Sequence, residues 1–122
     1  MAYNETLANR VREIIADSGE ERVEEKKMFG GLCFLVDDKI CVGVKKDRML
    51  VRIAPELYSD ALEKEGVIPM AGDGRGMIGY VFVMDEFLEH QKDLLYWVKL
   101  ALEFNPLAKS SKAPKPYKEG AK

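Results

Sequence analysis

The chain has 122 residues, 47% hydrophobic and 33% charged, with a formal net charge of −2. That length suits one domain with a self-sufficient core, and that composition excludes a disordered chain. No apolar run approaches the roughly 18 residues a membrane span needs, and the first 18 residues are amphipathic and charged, so a cytoplasmic protein with no membrane attachment is expected.

Leu7, Val11, Ile14 and Ile15 recur at helical spacing, which predicts an amphipathic first helix. Asn4 suits its N-cap and Gly19 the left-handed position past its end. Residues 20–27 are nearly all charged and read as a connector.

The chain is organised around Lys27-Met28-Phe29-Gly30-Gly31 and the apolar run Leu32–Val36 that it launches. A glycine pair marks a sharp change of direction or a close backbone approach, and a short apolar run bounded by turn signals reads as a strand. Asp37-Asp38 breaks the run and Lys39–Val44 resumes it, a hairpin with a two-residue turn. In that register Cys33 faces Val42 and Cys41 faces Phe34, so the two sulfurs point to opposite sides of the sheet. A three-residue turn would change that parity. Two buried free thiols in a reducing compartment are the expectation.

A second turn at Lys45–Arg48 leads into a third strand, Met49–Ile53. One sheet face then collects Cys33, Leu35, Ile40, Val42 and Val44 with Met49, Val51 and Ile53, and should lie under the first helix. The other collects Leu32, Phe34, Val36, Cys41, Gly43 and Leu50 with Arg48 and Arg52. A half-apolar face of this kind is covered by another helix or serves as a partner or ligand surface. Arg52 is its leading candidate, against the plainer reading of an arginine lying along the sheet.

Pro55-Glu56 opens a short helix with Leu57, Tyr58, Ala61 and Leu62 inward and Gly66 as terminator. Val67–Met70 reads as an extended connector. Gly74, Gly76 and Gly79 spell G-x-G-x-x-G, but that fingerprint must follow a strand and open a helix. Here it precedes the alternating run Ile78, Tyr80, Phe82, Met84, so a Gly-rich loop entering a further strand is the better account. Arg75 is the one cation there able to assist an anion.

Asp85 or Asp93 should cap a last helix whose Leu94–Val98 and Leu100–Phe104 are apolar on more than one face. Such a helix is buried or shared with a partner. Burial against the second sheet face is one reading, and a homodimer contact through Tyr96 and Trp97 the other. Residues 106–122 hold three prolines and five lysines against Glu119 and are expected to be a disordered Lys/Pro-rich tail. That segment carries +4, which puts residues 1–105 at −6, a poor match for a broad phosphate-binding face.

Catalytic chemistry is thinly represented. His90 is the single histidine, and one histidine builds neither a metal cluster nor, without a nearby nucleophile, a triad. The four serines lie in no nucleophile-elbow context. No cofactor, metal or catalytic residue is expected.

Met28-Phe29-Gly30-Gly31-Leu32, then Phe34, the Asp37-Asp38-Lys39 turn, Asp47-Arg48 through Val51, and the late strand with its helix resemble the TfoX/Sxy N-terminal domain family over roughly residues 8–104. The family usually has Asp-Gly where Asp37-Asp38 stands here. The resemblance implies a compact α+β domain, here a stand-alone N-terminal domain over residues 1–105 without the second domain of full-length TfoX. The expected order is N-terminal helix, antiparallel β-meander, short helix, further strand after a Gly-rich loop, and C-terminal helix. The resemblance also implies a non-enzymatic regulatory interaction module whose protein partner is a transcription factor, with direct sequence-specific DNA binding disfavoured by the acidic body. The alternative is a small-molecule anion site, binding or enzymatic, near Phe29, Gly30 and Gly31, Arg52, and the 72–79 loop with Arg75.

Overall fold

A computed structural model describes residues 3–28, 30–70 and 78–108. Helix α1 spans Glu5–Asp17, and the Asn4 side chain accepts a hydrogen bond from the Leu7 N–H at 3.0 Å, the expected N-cap. Its buried face is Leu7, Ala8, Val11, Ile14 and Ile15. Gly19 adopts φ 90° beyond its end. The Asn4 N–H also donates to the Lys45 carbonyl, pinning the helix start to the sheet.

Six strands follow: β1 (Val23–Met28), β2 (Gly31–Val36), β3 (Lys39–Val44), β4 (Arg48–Arg52), β5 (Val67–Pro69) and β6 (Tyr80–Met84). They form one antiparallel sheet in the order β1-β2-β3-β4-β6-β5. A 3₁₀ turn at Pro55–Leu57 leads into α2 (Tyr58–Leu62), and α3 spans Gln91–Phe104 before a last 3₁₀ turn at Asn105–Leu107. The architecture is α+β.

The charged connector expected at 20–27 is instead mostly strand. β1 pairs with β2 from Val23↔Val36 to Met28↔Gly31, and Gly30 takes φ 75° in the two-residue link. An edge strand tolerates charge on both faces, and charge there discourages pairing with another chain. Alternation of apolar residues was therefore absent. The connector expected at 67–70 contains β5, the other edge, where Pro69 is acceptable because its missing N–H lies at a sheet margin.

The Asp37-Asp38 turn is as expected, with both residues at positive φ (55° and 67°), the conformation a two-residue type I′ link requires. The face assignment that followed is corrected. Val36↔Lys39 and Leu35↔Ile40 keep the simple register, but Phe34 pairs with Val42. Cys41 is an extra residue on β3, a β-bulge. Relative to the unbulged reading, Ile40 and the whole of β2 therefore swap sides with respect to Val42, Val44 and β4. Leu32, Phe34, Val36 and Cys41 belong to the main core with Val42, Val44, Met49, Val51 and Ile53. Cys33, Leu35 and Ile40 lie on the opposite face with Leu50. Both cysteines are buried and free, on opposite faces as expected.

Helix α3 does not cover that opposite face. Leu94, Trp97, Val98 and Ala101 pack into the main core beside α1. The described helices therefore share one side of the sheet. Nor is α3 apolar all round: Leu95, Leu100 and Leu102 are half-buried flanks and Tyr96 is exposed. Its N-cap is His90, and neither Asp85 nor Asp93 plays that part; Asp85 starts a separate 3₁₀ turn and Asp93 sits in the first turn of α3. Leu57, expected inward, is exposed, while Ala61 carries the burial of α2. No described helix is long and apolar enough to cross a membrane.

Packing continues to Ala108, which is buried. Asn105 is 4% exposed, and its side-chain amide donates to the Val36 carbonyl at 3.2 Å. The Lys39 ammonium donates to the Asn105 carbonyl at 3.3 Å. These bonds tie the end of α3 to the β2–β3 hairpin. The readings made for Phe29, the 71–77 stretch and residues 109–122 fall outside the described residues.

Candidate functional site

The β1–β2 corner has a physical reason for its second glycine. A Cβ on Gly31 would run into the Val44 carbonyl, with the Val44 carbonyl carbon at 3.1 Å and Lys45 Cγ at 3.2 Å. The close approach of β2 to the end of β3 therefore requires glycine. Below this corner is a pocket of about 210 Å³, including its mouth. Met28, Cys33, Leu50, Met70 and Phe82 give it apolar walls, and Lys45 is its cation. Much of that volume is open space at the mouth, so the enclosed room is very small. Burial pushes the Cys33 thiol up to about 11, with Lys45 pulling the other way; burial and Glu20 push Cys41 up to about 12, with Arg52 opposing. Neither sulfur is a thiolate near neutral pH, the form a nucleophile or metal ligand needs.

Gly31 lines this pocket, whereas neither Gly30 nor Arg52 is in the lining. The Arg52 guanidinium sits 5.1 Å from the Tyr80 ring centroid and 5.8 Å from that of Phe104, at the far end of β4. Trp97 is buried in the core, whereas its neighbour Tyr96 is exposed, edge-on to it at 5.1 Å, with the Lys64 ammonium 5.4 Å from the Tyr96 ring. Phe29 and Arg75 lie outside the described residues. Among the described residues, no group of three His, Cys, Asp or Glu side chains could hold a metal ion.

One arrangement was not foreseen. Tyr80 and Phe82 of β6 stand on the face opposite the described helices, each half-buried. The Phe82 ring has Lys45 and Arg48 on it, both 5.4 Å from its centroid, and Tyr80 has Arg52. Arg48 is itself held by Asp47 at 2.9 and 3.2 Å. That contact holds the Asp47 carboxyl below the usual carboxylate range. The result is a strip of cations and aromatic rings across β4 and β6, which Lys45 joins from the end of β3 and whose Arg52 also lies near Phe104 of α3. It was legible only once β4 and β6 were known to be neighbours, because each cation is 28 to 37 residues from the ring it meets. The alternation of Tyr80 and Phe82 was the available signal.

A six-stranded antiparallel sheet with its described helices on one side, and a cation–aromatic strip on the other, defines the class of domain. The model of the TfoX N-terminal domain matches residues 14–105, and the chain belongs to that family. No curated protein matches it. Among solved structures it is similar to a protein from Pseudomonas syringae, with a TM-score of 0.53 and 13% identity, covering 77% of this chain and 96% of that one. At that identity the likeness is one of fold.

Proposed function

We propose that this chain is a non-enzymatic interaction module of regulatory kind, which engages a protein partner through the cation–aromatic strip. The observation that carries this reading is the strip itself: Lys45, Arg48 and Arg52 set on Phe82 and Tyr80, with Met28 and Met70 beside them. Arginine, aromatic residues and methionine are enriched where protein interfaces concentrate their binding energy. Three cations on an otherwise acidic body favour an acidic patch on the partner. The proposal takes the cytoplasm as its setting and a transcription factor as the partner class. The proposal does not include sequence-specific reading of DNA, for which a body at −6 is ill suited. Exposed Tyr96 makes a homodimer contact on the helix side a separate, compatible surface.

The test places a photo-crosslinking residue at Phe82 of the full chain, with a control at exposed Glu63. Support is one protein recovered from Phe82 alone and lost in the Arg48→Glu/Arg52→Glu variant. Recovery of the same proteins from both positions refutes the reading. Lys45 at the rim of the Cys33 pocket favours a second reading, a small-molecule anion site beside Gly30 and Gly31. A thermal-shift screen of anions at millimolar concentration decides it, since a saturating, Lys45-dependent stabilisation would support that site and none would remove it.

A further inference from the structure

On the helix side, between α1 and the edge strand β1, lies a groove distinct from the strip. Its floor is apolar: Ile15 and Ala16 of α1, Val23 of β1, and the buried Phe34 of β2, in a depression of about 510 Å³ including its mouth. Two further depressions adjoin it through Glu21. One, about 740 Å³, runs past Glu20, Arg22 and Asp37 to Asn105 and Pro106. The other, about 360 Å³, reaches Glu24 and Asp38.

The rim of this groove carries six carboxylates, on Glu20, Glu21, Glu24, Glu25, Asp37 and Asp38, against two arginines. Both arginines are engaged: Arg12 grips Glu25 at 2.5 and 2.7 Å, and Arg22 meets Asp37 at 3.2 Å. Glu20, Glu21 and Glu24 are exposed and have no ion-pair partner among the described residues. Like charges crowded this way repel, and a cationic segment laid along them relieves the repulsion.

Such a segment starts at the mouth of the groove. Asn105 and Pro106 line one depression, and the packed chain reaches Ala108. The next 14 residues carry Lys109, Lys112, Lys115, Lys118 and Lys122 against Glu119, a net +4. They also include Tyr117, nine positions past Ala108, within about 30 Å of chain reach. Because residues 109–122 are covalently joined to the groove's edge at Ala108, weak pairs suffice to hold them there.

We propose that residues 109–122 dock back into this groove, with their lysines on Glu20, Glu21 and Glu24 and Tyr117 on the apolar floor. This inference uses the helix-side edge of the sheet and stands independently of the strip on the opposite face.

The test is paramagnetic relaxation in the full chain, with a nitroxide on Ser111→Cys; Cys33 and Cys41 are buried and stay unlabelled. At low salt the amides of residues 19–25 should lose at least about half their intensity, while those of Ile68 and Arg48, away from the groove, keep theirs. High salt should restore the lost intensity. Glu20→Lys/Glu21→Lys should abolish the effect, and adding Lys112→Glu/Lys115→Glu should bring it back. Uniform broadening, no broadening, or insensitivity to these charge reversals overturns the proposal. Broadening carried between a labelled and an isotopically enriched copy in a mixed sample also overturns it, in favour of docking between two chains.

Discussion

Exchanging Asn105 for aspartate alters little but the donor that α3 offers to the β2–β3 hairpin. Asn105 is 4% exposed and its side-chain amide donates to the Val36 carbonyl at 3.2 Å. Asn105→Ala removes that bond and leaves a buried carbonyl short of a donor, at a cost of about 1–3 kcal/mol. With a urea dependence of about 2 kcal/mol per molar, the unfolding midpoint should fall by about 0.5–1.5 M. Asn105→Asp is worse at neutral pH, because a carboxylate then faces a carbonyl oxygen away from water. Both effects raise the folded-state pKa of the new carboxyl above its unfolded value of about 3.9. A rise of about two units corresponds to about 2.7 kcal/mol. The sign follows from linkage: the folded state holds the proton more tightly, so the penalty is absent below about pH 4 and grows as pH rises towards the folded value. Urea titrations of the wild type and both variants at pH 4 and pH 7 measure this. A midpoint for Asn105→Asp that tracks the wild type at both pH values, or an Asn105→Ala midpoint unchanged from wild type, would refute the role given to this bond.

Three further expectations are simpler. Gly31→Ala should destabilise by about 1–3 kcal/mol and lower the melting temperature by about 4 °C per kcal/mol, because the new methyl meets the Val44 backbone. Gly43→Ala, whose methyl meets the movable Cys33 sulfur at 3.1 Å, should cost clearly less, and equal melting temperatures would defeat the argument. Asp38→Gly should stabilise by about 0.5–1 kcal/mol, net of the interaction Asp38 already makes, since glycine adopts φ 67° without strain; a lower denaturation midpoint would count against it. Both thiols should resist a disulfide reagent at pH 8, well below about 11 for Cys33 and about 12 for Cys41, and both should react on unfolding. Prompt labelling of the native protein would show that one of them is accessible.

The parts of the fold that were legible in the sequence are those whose signal is local. The stripe Leu7, Val11, Ile14, Ile15 and the cap at Asn4 lie within a few turns of each other, and the Asp37-Asp38 turn sets its own geometry. β1 was missed because an edge strand need not bury an alternating face, and its Glu25 is held by Arg12, on another element. The placement of α3 was missed because the breadth of an apolar stripe does not reveal which side of the sheet it meets. For the site, Gly31 and Arg52 were recognised as unusual, but what each touches depends on strand order. The strip on Phe82 needed Lys45 and Arg48 to be brought against β6 across the Pro55–Gly79 excursion.

The extra residue at Cys41 acts on the sheet as a shift of reading frame acts on a message. Before it, even-numbered Ile40 of β3 lies on the face away from the helices; after it, even-numbered Val42 and Val44 face them, so one extra residue decides that Phe34 and not Cys33 seals the core under α1. Deleting Cys41 would therefore not leave a small local gap. It would put Phe34 and Leu35 in competition for the same layer and set the hairpin against the rest of the sheet. A loss of cooperative unfolding, larger than any single substitution at Cys41 produces, is the expected readout.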